Sequence, residues 1–170
     1  MNENFQQIRS FLARQSTLVL ATVDGEANPR STPLFFLADD DLRLYWFSAR
    51  SSLHSCNCAL NPRASVAIFR NTRNWRQIRG VQMDGRVSVI SDRALRRQLT
   101  HDYCARFGLE DRFRGAIRRS ALYCFTPAWL RYMDNSREFG FKFELKLAAV
   151  PSGSSSSRPR SSGRASARPA

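Results

Sequence analysis

Two short polar clusters carry residue types suited to holding a phosphate. Arg30-Ser31-Thr32 joins a forked guanidinium donor to two hydroxyls, a set that fits a phosphate or the polar edge of a ring. Ser48-Ala49-Arg50-Ser51-Ser52, followed by His54, makes a second cluster where a strand gives way to a helix. Backbone N–H groups at a helix start favour an anion. On neighbouring strands of one barrel, the two clusters would hold a phosphorylated cofactor between them. Taken singly, each reads as an ordinary surface turn; the pair in this order points to a ligand.

Other chemistries find less support. The histidines, His54 and His101, stand beside no nucleophile in sequence, and neither a P-loop nor a G-x-G-x-x-G run is present. Carboxylates are scarce and fall mostly in turns, as in Asp39-Asp40-Asp41 and Asp134. Any redox or transfer chemistry is therefore expected to come from a cofactor. Cys56 and Cys58 are too close for a disulfide, and all four cysteines read as free thiols. A zinc site from His54, Cys56, Cys58 and His101 or Cys104 lacks a C-x-x-C pair, so no metal is expected.

The formal net charge is +13, and of 27 basic residues only Lys142 and Lys146 are lysine. Anionic partners, nucleotide cofactor or nucleic acid, are electrostatically welcome. Dispersed arginine also reads as a solvated surface, the reading preferred here over a nucleic-acid patch. No apolar run approaches membrane-spanning length. The N-terminus lacks a basic-then-apolar secretory pattern, so cytoplasmic residence is expected.

These clusters must be positioned by a run of short strands. An amphipathic helix over Asn4–Gln15 precedes strands at Thr17–Val23, Arg30–Phe36 and Leu42–Phe47. A short helix opened by Ser51-Ser52 ends in Asn61-Pro62-Arg63, and Ala64–Phe69 returns as a strand. Trp75–Ile90 reads as one long strand that bends at Gly80 and Gly85 rather than turning back. Asp92 caps a helix to Phe107 that Gly108 ends, and a further helix spans Glu110–Arg119. Strands at Ala121–Met133 and Phe139–Leu147 close the pattern; in the latter, Phe139, Phe141, Phe143, Leu145 and Leu147 alternate with charged residues. The expectation is a mainly β (α+β), six-stranded antiparallel barrel with flanking helices over residues 1–149. The Ser/Arg-rich segment 150–170 is expected to be disordered.

The order of these pieces resembles the pyridoxamine 5′-phosphate oxidase-like, FMN-binding split-barrel superfamily over about residues 5–147. The match rests on the turn Gly25, Arg30 on the next strand, Phe47-Ser48 at a strand end, and a Ser-led helix closed by Asn61-Pro62-Arg63. It continues through Arg79–Gly85 and through Tyr132–Ser136 to Gly140-Phe141. The resemblance implies a six-stranded Greek-key split barrel and a homodimer with FMN at the subunit interface. It places Arg30 and Ser48 on the flavin phosphate or ribityl chain, and Ser31, Thr32 and Pro33 along the ring through backbone contacts. His54 falls where the family has a phosphate-binding lysine and Leu53 where it often has an arginine, with Arg50 one turn earlier as a compensating cation. Gly80 stands where the oxidase has a polar side chain near the ring. Phe35 replaces a substrate-binding cation, and the Arg-x-His ending is missing after Asn135. The resemblance therefore implies an FMN-dependent oxidoreductase that is not a vitamin B6 oxidase, with substrate and electron donor unspecified. Deazaflavin or haem are alternatives on the same fold. A non-enzymatic barrel with a degenerate cofactor site, contacting an anion such as RNA, is the alternative of a different class.

Overall fold

The computed structural model describes residues 3–109 and 111–147. The expected disordered segment 150–170 and the boundary at 149 lie outside the described residues. Helix α1 (Glu3–Leu12) buries Ile8, Phe11 and Leu12 on one face, and the Phe11 ring meets Tyr132 edge-on at 5.9 Å. It stops at Leu12 rather than Gln15. The last turn tightens into i+3 bonds, Arg14 N–H to the Phe11 carbonyl and Gln15 N–H to that of Leu12. The Arg106 guanidinium donates to the Ala13 and Gln15 carbonyls and holds the chain there.

The sheet has eight strand segments rather than six. They are β1 (Thr17–Val23), β2 (Pro29–Phe35), β3 (Leu37–Ala38), β4 (Leu44–Ser48), β5 (Arg63–Phe69), β6 (Arg79–Val89), β7 (Ala121–Asp134) and β8 (Lys142–Lys146). The order is β2-β1-β5-β6-β7-β4-β3, every pairing is antiparallel, and β8 joins β7 off this path. Its two end strands, β2 and β3, are separated in sequence by Phe36 alone, and that side chain is buried. One strand thus breaks at Phe36, pairing with β1 before the break and β4 after it. This break and β8, itself expected as a strand but paired off the main path, account for the larger count, while the mainly β, antiparallel split-barrel class holds. Leu18, Leu20, Leu44, Val66, Ile68, Val81, Met83 and Leu130 point inward and form the core with α1.

The longest strand, β7, pairs with β6 along one edge and divides the other between β4 and β8. To serve both, it must curl. Asp84 faces Trp129 while Gly85 faces Pro127, so Ala128 is an extra residue that bends the strand. Gly85 permits this approach: a Cβ there would lie 2.2 Å from the Thr126 carbonyl oxygen and 2.8 Å from the Phe125 ring. The single bent strand expected around Gly80 and Gly85 is β6. Its first residues, Trp75–Gln77, instead form a 3-10 turn, with the Asn74 side chain accepting from the Arg76 N–H.

Helix α2 (Leu53–Leu60) follows β4. Helices α3 (Arg93–Phe107) and α4 (Asp111–Arg119) cover the outer face of β4 and β7, where Leu99 and Tyr103 join Tyr45, Phe47 and Leu122 in a second core. Asp92 caps α3, accepting from the N–H groups of Ala94 and Leu95 at 2.7 and 3.0 Å. Gly108, at φ 57°, ends it. The strand expected over Phe139–Leu147 shortens to Lys142–Lys146. Gly140 at φ 78° and the Phe141 N–H bond to the Glu138 carbonyl make a turn of its first residues, leaving Phe139 76% exposed.

Gly85→Ala should cost at least about 3 kcal/mol, at the upper end for overpacking, because the obstruction is backbone and cannot rotate away. Gly80→Ala, whose Cβ would meet the Ile68 carbonyl at 3.0 Å, should cost less. Urea midpoints of the two variants would measure this; an unchanged Gly85→Ala midpoint would contradict the clash.

Candidate functional site

On β2, Arg30 lies opposite Thr22 and Ser31 opposite Ala21. The flanking bonds, Asp24 N–H to the Asn28 carbonyl and Phe36 N–H to the Ser16 carbonyl, set the alternation of the ladder. Arg30, Thr32 and Leu34 spend their backbone groups on β1, whereas those of Ser31, Pro33 and Phe35 face the strand's open edge. Pro33 therefore costs the ladder nothing, since its missing N–H is on the open side. The Tyr103 hydroxyl takes the Phe35 carbonyl at 3.2 Å. Among the described residues the Ser31 N–H and carbonyl and the Pro33 carbonyl have no backbone partner.

Arg30 is held by Asp24, donating from Nε and Nη2 to one carboxylate oxygen at 3.2 and 3.1 Å. Its side chain is 50% exposed. The Asn28 N–H is the main cause holding the Asp24 carboxyl below its ordinary range; burial opposes this, and Glu26, the Asn28 amide and Arg30 reinforce it.

The second cluster sits where β4 passes into α2. Ser48 Oγ lies 2.7 Å from His54 Nε2, Ser52 Oγ lies 3.1 Å from the same nitrogen, and the two hydroxyls are 3.2 Å apart. Ser52 also donates to Ser55 Oγ. His54 is buried, and that burial lowers its pKa, so the ring is held neutral. Ser52 occupies the N-cap of α2, yet its side chain makes no capping bond. The first-turn amides thus carry no side-chain acceptor. Arg50 is exposed and edges a cleft of about 170 Å³ with Ser55, Cys58, Ser88 and Tyr123. Leu53 is 57% exposed and brings no cation.

The two clusters are not joined by a direct β2–β4 pairing; the broken strand connects them, since β3 continues β2 and pairs with β4. Strand β2 pairs with β1, and β4 with β3 and β7. Helix α2 links them. The Asn57 amide donates to Thr22 Oγ1 at 3.0 Å, both residues are buried, and Thr22 is the partner of Arg30 across the ladder. Sequence reasoning missed this bond, because the residues are 35 apart and neither stands in a motif. It also missed Asp24, whose position across the β1–β2 hairpin was a usable signal. Ser31 reaches a cleft of about 340 Å³ with Ser65, Gln82, Asp84 and Trp129 on the outer sheet face. An adjoining cleft of about 630 Å³ is flanked by Arg63 and Arg86, cross-strand partners that were also not singled out.

All four cysteines are free, and burial pushes the Cys58 thiol up to about 11. Among the described residues no group of three His, Cys, Asp or Glu side chains is placed to hold a metal ion. No helix among them is long and apolar enough to cross a membrane.

A family model described as pyridoxamine 5′-phosphate oxidase matches residues 5–134. The chain belongs to this family. It is 27% identical over 149 residues to a UPF0306 protein of Photorhabdus laumondii, covering 82% of this chain and 94% of that one. Its fold is similar to that of a conserved hypothetical protein of Mycobacterium tuberculosis, with TM-score 0.70, 17% identity, and 92% and 95% of the two chains covered. It is also similar to HutZ, described as the heme storage protein of Vibrio cholerae, with TM-score 0.61, 20% identity, and 72% and 88% covered. The family match confirms the superfamily resemblance, and the structural likeness supports the split-barrel fold.

The buried imidazole makes stability sensitive to pH. An unfolded imidazole takes up a proton near pH 6.5, whereas the folded ring resists it. Stability from this group is complete above that pH and is lost as pH falls through it. His54→Gln should flatten part of the decline in urea midpoint between neutral and mildly acidic pH. Parallel wild-type and variant profiles would show that the ring does not titrate with unfolding.

Proposed function

We propose that this chain binds FMN as a homodimer and serves a flavin-dependent oxidoreduction whose substrate is not pyridoxine phosphate. The observation that carries this reading is the half-exposed Arg30 guanidinium beside the open edge of β2. A phosphate donor and a free Ser31 N–H stand there on consecutive residues. In this reading Arg30, the Ser48 hydroxyl, Arg50 and the uncapped first turn of α2 hold the phosphate and ribityl chain. Ser31, Thr32 and Pro33 line the ring through backbone groups.

The residues fit the group in kind and supply fewer cations than the family pattern. His54 is neutral and turned to Ser48 and Ser52, and Leu53 is apolar. Asp24 competes for Arg30, so phosphate must share that guanidinium. Bound flavin would supply hydride or electron transfer; the protein supplies position and electrostatics. The Phe35 ring lies 4.7 Å from that of Phe107, giving an aromatic wall where a B6 oxidase meets its substrate phosphate with a cation. Haem, suggested by the description of HutZ, finds less support, because His54 Nε2 is already engaged by two hydroxyls.

Titration with FMN, followed by flavin fluorescence, tests the site. Arg30→Ala should weaken binding by about tenfold or more, since a charge-assisted bond contributes roughly 1.5–3 kcal/mol. His54→Lys should tighten it by restoring a cation at the uncapped helix start. Equal affinity of Arg30→Ala and wild type would overturn the placement. Hydrogen peroxide formed from pyridoxine phosphate at enzyme-like rates would overturn the exclusion of B6 chemistry.

A further inference from the structure

At the barrel end away from the β4–α2 junction, the β5–β6 connection and the turn between β7 and β8 meet. Arg70 N–H bonds to the Arg79 carbonyl and closes the first loop. Asn135 N–H bonds to the Ile78 carbonyl, and its amide to that of Trp75, which fixes the second against it. The surface so formed is aromatic and basic. Trp75 is 48% exposed, and its ring meets Phe139 edge-on at 5.4 Å. The Arg76 guanidinium lies over the Trp75 ring at 4.5 Å, and that of Arg137 over Phe141 at the same distance. Arg70 and Arg73 are exposed beside them, and residues 69–78 contain no carboxylate. Arg79 is neutralised by Asp134 at 2.9 Å, while Arg70, Arg73, Arg76 and Arg137 find no ion pair among the described residues. None of this is used by the cofactor site proposed above.

Exposed rings gathered into one patch with a charged rim mark an interaction surface. The charge selects a polyanion. The geometry narrows it further: the cations of the two loops are arginines, and the guanidiniums of Arg76 and Arg137 already sit over rings, an arrangement that an unstacked base can extend. A lipid headgroup would need only point charges. We infer that this surface binds a single-stranded nucleic acid, with Trp75 and Phe139 stacking bases and Arg70, Arg73, Arg76 and Arg137 tracking the phosphates.

Fluorescence anisotropy of labelled oligo(rU), oligo(dT) and a duplex of equal length, titrated with the full chain at two salt concentrations, tests this. Tighter binding of one or both single strands than of duplex is expected, and the rU and dT arms show which sugar is preferred. Trp75→Ala and Phe139→Ala should each weaken binding by about fivefold or more. Arg73, whose guanidinium finds no hydrogen bond or ion pair among the described residues, is the cation to replace with least disturbance of the loop; Arg73→Ala should lower the salt slope by about one. Absence of single-strand binding would overturn the inference. So would binding that all three variants leave unchanged, which would assign it to basic residues elsewhere. Capture by phosphatidylserine vesicles, weakened by these variants and without oligonucleotide binding, would assign the surface to a membrane instead.

Discussion

The pairing of β6 with β7 is the constraint on which the rest depends. A fourteen-residue strand serves three neighbours, and a flat one could not. The extra residue at Ala128 gives the bend, and the bare Cα of Gly85 leaves room for it. One half of β7 then carries β4, from which Ser48 and α2 follow. The other carries β8 and the aromatic turn before it. Both polar regions described above are thus placed by a single backbone approach near the middle of the sheet.

Much of this order was legible because it is written in local patterns. Runs of β-forming residues marked β1 and β5. Asp92 and Gly108 marked both ends of α3, since a capping carboxylate and a left-handed glycine act on residues two to five positions away. That β6 runs on through Gly85 as one strand was legible, although the close approach that requires glycine comes from Thr126 and Phe125 on another strand. The reading failed where a tertiary contact overrides the pattern. Phe139 has the right parity to continue β8, yet Gly140 turns the chain before the strand begins. The break at Phe36 is equally invisible locally, since its cause is that β1 and β4 each claim part of one strand.

The site shows the same division. Arg30, Ser48 and His54 could be singled out by type and spacing, and two of them are in direct contact. Which state His54 adopts could not be read, because that depends on burial and on two hydroxyls sharing one nitrogen. The His54 ring, its pKa lowered by burial, sits between the hydroxyls of Ser48 and Ser52. The bond from Asn57 to Thr22 is the least legible and ties α2 to the strand bearing Arg30. Buried amides of this kind have no sequence signature, only a need for a partner.

The position of Pro33 has one more consequence. An uncovered strand edge is a ready template on which another copy's strand can add, the route to fibrils and clumping. On β2 the outward register holds Ser31, Pro33 and Phe35, whose carbonyl is already taken by Tyr103. Proline in the middle withholds the donor that an incoming strand would need. The edge keeps polar groups within reach at Ser31 while denying a second strand a continuous ladder, so accessibility and colloidal safety are reconciled by one imino acid.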